Sequence, residues 1–172
     1  MEIIPYSETE HKEKFYDLNV EYDSWVAERY HQVHNIDLES VLGKSSRDYV
    51  RDFLQDFTKA NSLNGIIYVL VDQGNVVGMG ALAKLQEGVG EIKRMFIQPA
   101  YRGRNLGKKM FSMLMQKGRE LGFSKLRLET ADIFETAVHL YHSLGFKDID
   151  EYPGGEVSHT LRNTVRYMEL DL

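Results

Sequence analysis

The chain has 172 residues, of which 42% are hydrophobic and 27% charged, with a net charge of −5 and no cysteine. These values fit one domain spanning residues 1–172 with a sizeable core, and they exclude a disordered chain. They also exclude a disulfide framework, Cys-ligated zinc and a cysteine thioester intermediate.

The elements follow in chain order. Glu2 to Pro5 reads as a short first strand. Phe15, Leu18, Tyr22, Trp25, Val26 and Arg29 recur at helical spacing and predict an amphipathic helix from Glu8 to Tyr30. Ser45 or Ser46 can cap a second helix, carrying Tyr49, Phe53 and Phe57 at i, i+4, i+8. The period then changes. Ile66 to Val71 is an apolar, β-branched strand, Asp72 to Asn75 a turn, and Val76 to Leu85 the returning strand. Glu91 to Ile97 is the next strand, stopped by Pro99. A helix from Asn105 to Leu121 buries Leu106, Met110, Phe111, Leu114 and Leu121, and Gly122 ends it. Lys125 to Thr130 is a strand, Glu135 to Leu144 a short helix, and Val165 to Leu172 a final strand. Helices, antiparallel strands and then β-α-β-α-β predict an α/β (α+β) fold with a mixed sheet covered by about four helices. Ile66 to Val71 is the longest aliphatic and aromatic run, too short to span a bilayer, and no basic region precedes an apolar stretch at the N-terminus. No membrane association and a cytoplasmic location are therefore expected.

Charge is unevenly spread. Lys93, Arg94, Arg102, Arg104, Lys108 and Lys109 fall in one stretch with no acid among them. A short basic segment in an acidic chain points to a small polyanionic ligand, not to nucleic acid. Within it, a strand ends at Ile97, a glycine-containing turn follows, and a helix begins. A helix N-terminus presents unpaired N–H groups and the positive end of its dipole. Gly103 and Gly107 let a phosphate approach the backbone, while Arg102, Arg104 and Lys108 supply charge. Taken alone, the stretch also reads as a glycine-containing loop with solvated arginines.

Downstream come Leu126-Arg127-Leu128-Glu129-Thr130, Ala137, Leu140-Tyr141 and Leu144-Gly145-Phe146. With the basic turn, these resemble the GNAT superfamily of acetyltransferases from about Ile66 to Phe146. Arg102 to Gly107 is similar to the family's acetyl-CoA motif Arg/Gln-x-x-Gly-x-Gly/Ala, and Ala137, Tyr141 and Gly145-Phe146 to its second motif, A-x-x-x-Y-x-x-x-G-F. Two positions depart: Asn105 stands where the family usually has Gly, and Phe134 where many members carry Asn or Gln. The resemblance implies a mostly antiparallel sheet with a V-shaped splay between two central strands, and acetyl-CoA as cosubstrate. It places Met95, Phe96 and Ile97 along the pantetheine arm and Arg102, Gly103, Arg104, Asn105, Leu106, Gly107 and Lys108 at the phosphates. It also implies acetyl transfer to a primary amine of a small molecule or peptide, by direct attack in a ternary complex. Tyr141 resembles the general acid, with His142 as a nearby second candidate, and Glu91 matches the position of a carboxylate base. As plain chemistry, Tyr141 also reads as core packing, Glu91 as a solvated strand end, and water can serve as base for a weakly basic amine.

Glu21, Asp23 and Glu28 near Trp25 suggest an acidic, aromatic pocket for a cationic amine or polyamine, or simply the wet side of a helix. Pro153 to His159 reads as a lid. His31 with His34, and His139 with His142, sit at chelating spacing but lack a third ligand, so no metal is expected. A homodimer is left open, as is a non-catalytic acyl-CoA-binding module.

Overall fold

A computed structural model describes residues 1–153 and 159–172; the expected lid lies largely outside them. β1 (Glu2–Pro5) leads to α1 (Glu8–His34), which runs a turn beyond the expected end. Asn35, in the left-handed region at φ 54°, stops it there: its N–H donates to the His31 carbonyl at 3.0 Å and the Ile36 N–H to the Tyr30 carbonyl at 3.4 Å. A five-residue helix, α2 (Leu38–Leu42), follows, started by Asp37 Oδ1 accepting from the N–H groups of Glu39 and Ser40 at 3.1 and 3.3 Å. α3 (Ser46–Asn64) begins at the expected cap, with Ser45 Oγ accepting from the Asp48 N–H at 3.2 Å.

The sheet comprises β2 (Ile66–Asp72), β3 (Asn75–Gln86), β4 (Val89–Ile97), β5 (Lys125–Ala131), β6 (Lys147–Ile149) and β7 (Val165–Asp171). Its order is β1-β2-β3-β4-β5-β7-β6, antiparallel except between β4 and β5. The β2–β3 turn has φ 48° at Gln73 and 77° at Gly74, the double positive φ that a two-residue hairpin requires. α4 (Leu106–Glu120) and α5 (Glu135–Ser143) complete the set, so the described residues contain five α-helices, the short α2 added to the four read from the sequence.

Helices cover both faces. On one, Phe15, Leu18 and Phe57 of α1 and α3 pack on Val69, Met79 and Phe96. On the other, Met110, Phe111 and Leu114 of α4 pack on Leu82, Leu126 and Leu128, with Tyr141 and Phe146. Leu121 is not part of this core: the helix ends at Glu120, and Leu121 is 37% exposed. A third cluster joins Tyr30 and Leu38 to Ala131, Ile133 and Leu161.

Two irregularities shape the centre of the sheet. Met79 pairs with Phe96 and Ala81 with Lys93, so Arg94 and Met95 together face Gly80. This is a bulge, and Arg94 sits in it at φ 55°. The parallel ladder from Val89–Lys125 to Ile92–Leu128 then stops, although β4 continues to Ile97 and β5 to Ala131. The two strands part, as the expected splay requires. Glu91 was expected to begin its strand; it is the third residue, with 2% of its surface exposed, because β4 starts at Val89.

Candidate active site

A cleft of about 1350 Å³ opens where β4 and β5 part. Its walls come from α1 and α2, the ends of both strands, the turn after β4, and the start of α5. Phe96 is buried beneath Tyr22 and Trp25, with ring centroids 5.2 and 5.8 Å away. Met95 and Ile97 pack toward the opposite layer. With these side chains committed to the two cores, the backbone edge of β4 beyond Ile92 is what faces the gap.

The turn then delivers the basic groups. Pro99–Tyr101 forms one 3-10 turn. Arg102 Nε donates to the Ile97 carbonyl at 2.8 Å, and its guanidinium lies 5.0 Å from the Trp25 ring centroid. Burial pulls its pKa below the usual guanidinium value, opposed by Glu21. At Gly103 (φ 76°) a Cβ would meet nothing within 4 Å. Asn105, at the position where the family motif has glycine, adopts φ 58° and makes no side-chain cap bond to α4. Asparagine is among the few residues that tolerate this conformation, so the substitution preserves the turn. A Cβ on Gly107 would come no closer than 3.8 Å to any atom, so the groove above it is open. Leu106 and Lys108 line the same wall. Arg104 differs from its neighbours: it donates to the Ala100 carbonyl at 3.4 Å, lies over Tyr101, and is absent from the cleft lining.

Tyr141 reaches the cleft from α5, 7% exposed, with ring centroids 5.5 and 6.2 Å from Phe111 and Phe146. Burial pushes its pKa well above that of an ordinary phenol. Its ring is part of the core, and the residue still borders the cleft. His142 accompanies it on α5 but is exposed, 2.8 Å from Asp148, and is not among the cleft-lining residues.

Glu91 lines the cleft on β4 with both oxygens engaged. Oε1 accepts from the Tyr152 hydroxyl at 2.8 Å, and Oε2 lies 2.5 Å from the Lys93 ammonium. Tyr152, which sequence reading passed over, has its pKa raised by burial first and then by the charge of Glu91. The only signal for it was its place beside Pro153.

A second group missed in sequence is Arg94. Its Nη1 donates to both Asp23 oxygens at 2.8 Å, with 7% of the side chain exposed, and its guanidinium lies 4.0 Å from the Phe53 ring centroid. This corrects the expected acidic pocket. Asp23 holds Arg94, Glu21 accepts from Gln98 at 2.6 Å, and Glu28 accepts from Gln32 at 3.0 Å. Trp25 instead stacks on Phe134 at 4.7 Å, so an aromatic contact stands where relatives of the motif have an amide. His34 bonds Asp132 at 2.9 Å, and among the described residues no group of three or more potential ligands could hold a metal.

Residues 12–146 match the sequence profile of the Acetyltransferase (GNAT) family, a stretch that contains the parted strands, the turn and Tyr141. The chain belongs to that family. Over 141 residues it is 30% identical to an uncharacterized N-acetyltransferase of Schizosaccharomyces pombe, covering 73% of this chain and 83% of that one. It is 38% identical over 101 residues to an uncharacterized N-acetyltransferase of Escherichia coli, covering 56% of this chain and 60% of the relative. An IAA acetyltransferase of Azospirillum brasilense is 42% identical over 76 residues, 44% of this chain and 50% of that one. The match thus spans only about half of the length of these last two. Among solved structures, a GNAT acetyltransferase of Staphylococcus aureus superposes with a TM-score of 0.71 at 20% identity, covering 99% and 98% of the two chains. PaiA N-acetyltransferase of Thermoplasma acidophilum, solved in complex with coenzyme A, gives 0.70 at 17% identity, with the same coverage. At these identities the structures establish the GNAT fold alone. Among the described residues, no helix is long and apolar enough to cross a membrane.

Proposed function

We propose that residues 1–172 act as one domain, an N-acetyltransferase that moves the acetyl group of acetyl-CoA to a primary amine of a small molecule or peptide, by direct attack in a ternary complex. One observation carries the reading: β4 and β5 part beside the start of α4, so a single opening offers peptide groups along one edge and a basic helix N-terminus at its end. The residues present fit the cosubstrate. Asn105 leaves the first N–H groups of α4 without a side-chain cap of its own, Gly107 leaves the groove open, and Arg102 and Lys108 border it.

Acetyl-CoA, when bound, supplies a thioester carbonyl as the acyl donor. The chain's residues do the rest. The β4 edge from Met95 to Ile97 pairs with the amides of the pantetheine arm as a neighbouring strand would. Its N–H groups polarise the carbonyl, a contribution of about 3 kcal/mol in comparable sites. Arg102 covers the Ile97 carbonyl, so it releases that group and turns to the phosphates as the arm enters. Arg104 reaches the phosphates only by leaving Ala100. Tyr141, kept protonated by burial, gives its proton to the departing thiolate, whose conjugate acid has a pKa of about 8.5. Glu91 takes the proton of the acceptor ammonium once the acceptor displaces Lys93 or Tyr152 from one of its oxygens. The absence of cysteine agrees with direct attack, without an acyl-cysteine stage.

Free-thiol release from acetyl-CoA, followed across a panel of amines, tests the proposal. Amine-dependent release with an N-acetylated product is the expected result. Binding of acetyl-CoA without release on any amine points instead to a sensor module.

A further inference from the structure

Glu91 and Lys93 line the cleft, whereas Tyr152, which bonds the same carboxylate, does not. The tyrosine follows β6 in the chain and is 5% exposed, so its hydroxyl comes to Glu91 from inside the protein. The sheet register prepares this meeting. Glu91 on β4 lies beside Arg127 on β5, and Arg127 beside Glu169 on β7, so the three side chains share one face. A glutamate and an arginine side by side on neighbouring strands can pair with each other. Arg127 instead turns away from β4, its Nε donating to Glu169 Oε2 at 2.8 Å. The Tyr152 ring covers its guanidinium at 5.0 Å, and Tyr167 of β7 packs edge-on against that ring at 5.5 Å. The ring is thus held by β5 and β7, while the hydroxyl crosses to β4 at 2.8 Å from Glu91 Oε1. It does so one residue pair before the ladder ends at Ile92–Leu128.

The chemistry of the donor matters. A guanidinium on Oε1 would neutralise the carboxylate; a phenol orients it and adds no charge. Burial, with the charge of Glu91, keeps that phenol protonated, so it remains a donor. Oε2, which the Lys93 ammonium meets at 2.5 Å, is left as the oxygen on the cleft side.

We infer that Tyr152 is a positioning residue for acetyl transfer: its hydroxyl fixes the Glu91 carboxylate from behind the cleft and sets the direction in which it faces. The inference rests on the base role proposed for Glu91 and adds the group that aims it.

The test is a double-mutant cycle of Tyr152→Phe and Glu91→Gln, read as kcat and KM on one amine that the native protein acetylates. Tyr152→Phe keeps the ring over Arg127 and removes only the hydroxyl. It lowers kcat by about tenfold to a hundredfold, the cost of a misaimed catalytic group. KM for acetyl-CoA stays native, which also shows that the variant is folded. A residue that merely supports the fold would lower Tm without this split. Tyr167→Phe, which removes a neighbouring hydroxyl and leaves the Glu91 contact, changes neither kcat nor KM. In the Glu91→Gln background, Tyr152→Phe lowers kcat by no more than about twofold further, because the two residues act as one unit. Penalties that multiply overturn the inference. A native kcat in Tyr152→Phe, with a fall in Glu91→Gln, overturns it too but leaves the base role standing. A native kcat in Glu91→Gln overturns the base role and this inference with it. No turnover of any amine by the native protein overturns the acetyltransferase reading and the inference together.

Discussion

Tyr141 has the fixed position and the retained proton that a general acid needs, while the burial that retains the proton also makes it harder to give up. Its ring is fixed between Phe111 and Phe146, and burial keeps its hydroxyl protonated well above the ordinary phenol range. Because the phenolate is the penalised form, this proton is retained throughout neutral and mildly alkaline conditions. Tyr141→Phe keeps the packing and removes only the hydroxyl. It should lower kcat by ~10²-fold, at the low end for a lost general acid, with CoA affinity held by calorimetry to within a factor of two or so. In the native protein, kcat should show no fall assignable to Tyr141 up to about pH 10, the unperturbed phenol value. Glu91 makes a contrasting case at the same scale. Its removal matters only while the acceptor arrives as an ammonium, so Glu91→Gln should depress kcat/KM strongly at pH 7 and less near pH 9. Parallel pH profiles on one amine check this, and a constant ratio makes Glu91 a positioning group. Both residues were legible as types at motif positions. What surrounds them was not, because Tyr152 is brought to Glu91 across 61 residues of chain and no local pattern encodes that meeting.

At the scale of elements, the bulge in β4 is held by an ion pair from another layer. Left-handed backbone at a non-glycine residue costs about 1–2 kcal/mol, and Arg94 adopts it while its guanidinium is clamped by Asp23 of α1 and covered by Phe53 of α3. The bulge is what sends Met95 toward the opposite layer and leaves the β4 edge facing the cleft. Asp23→Leu leaves a buried, uncompensated cation and should destabilise the fold by about 3–5 kcal/mol, read from urea unfolding. Arg94→Leu should do similar harm by stranding the carboxylate. The double variant should recover most of that stability, since two apolar side chains replace a desolvated pair, yet its kcat should stay low because the clamp on the bulge is gone. Recovery of both quantities together would make Arg94 purely structural. Sequence periodicity revealed α1, α3, α4 and the long strands because each carries a sustained apolar repeat. It missed α2 and β6, which have five and three residues, too few for a period to show. It missed the bulge because a register shift is a relation between two strands, and it read Arg94 as one more cation of the basic stretch.

Across the whole molecule, the sheet is joined through its centre by one short parallel ladder, Val89–Lys125 to Ile92–Leu128. On one side lie β1 to β4 with α1 and α3 packed against them; on the other lie β5, β7 and β6. The cleft sits in the gap where this ladder ends, so a ligand that fills it bonds to both sides of the seam and is lost when they separate. Binding to the native state alone stabilises by about 2.7 kcal/mol at a hundredfold excess over Kd. For a chain of this size that corresponds to roughly 5–10 °C in Tm. Differential scanning fluorimetry with CoA should show this rise, and hydrogen exchange should slow at the amides from Met95 to Ile97. Part of the rise should fade with added salt, because Arg102 and Lys108, the proposed phosphate partners, are exposed. Gly107→Trp fills the groove over α4 without touching the ladder, so it should fold with the native Tm and lose the CoA-dependent shift. A shift of full size in that variant would place CoA away from the start of α4, and the seam would then be bridged by nothing the turn provides.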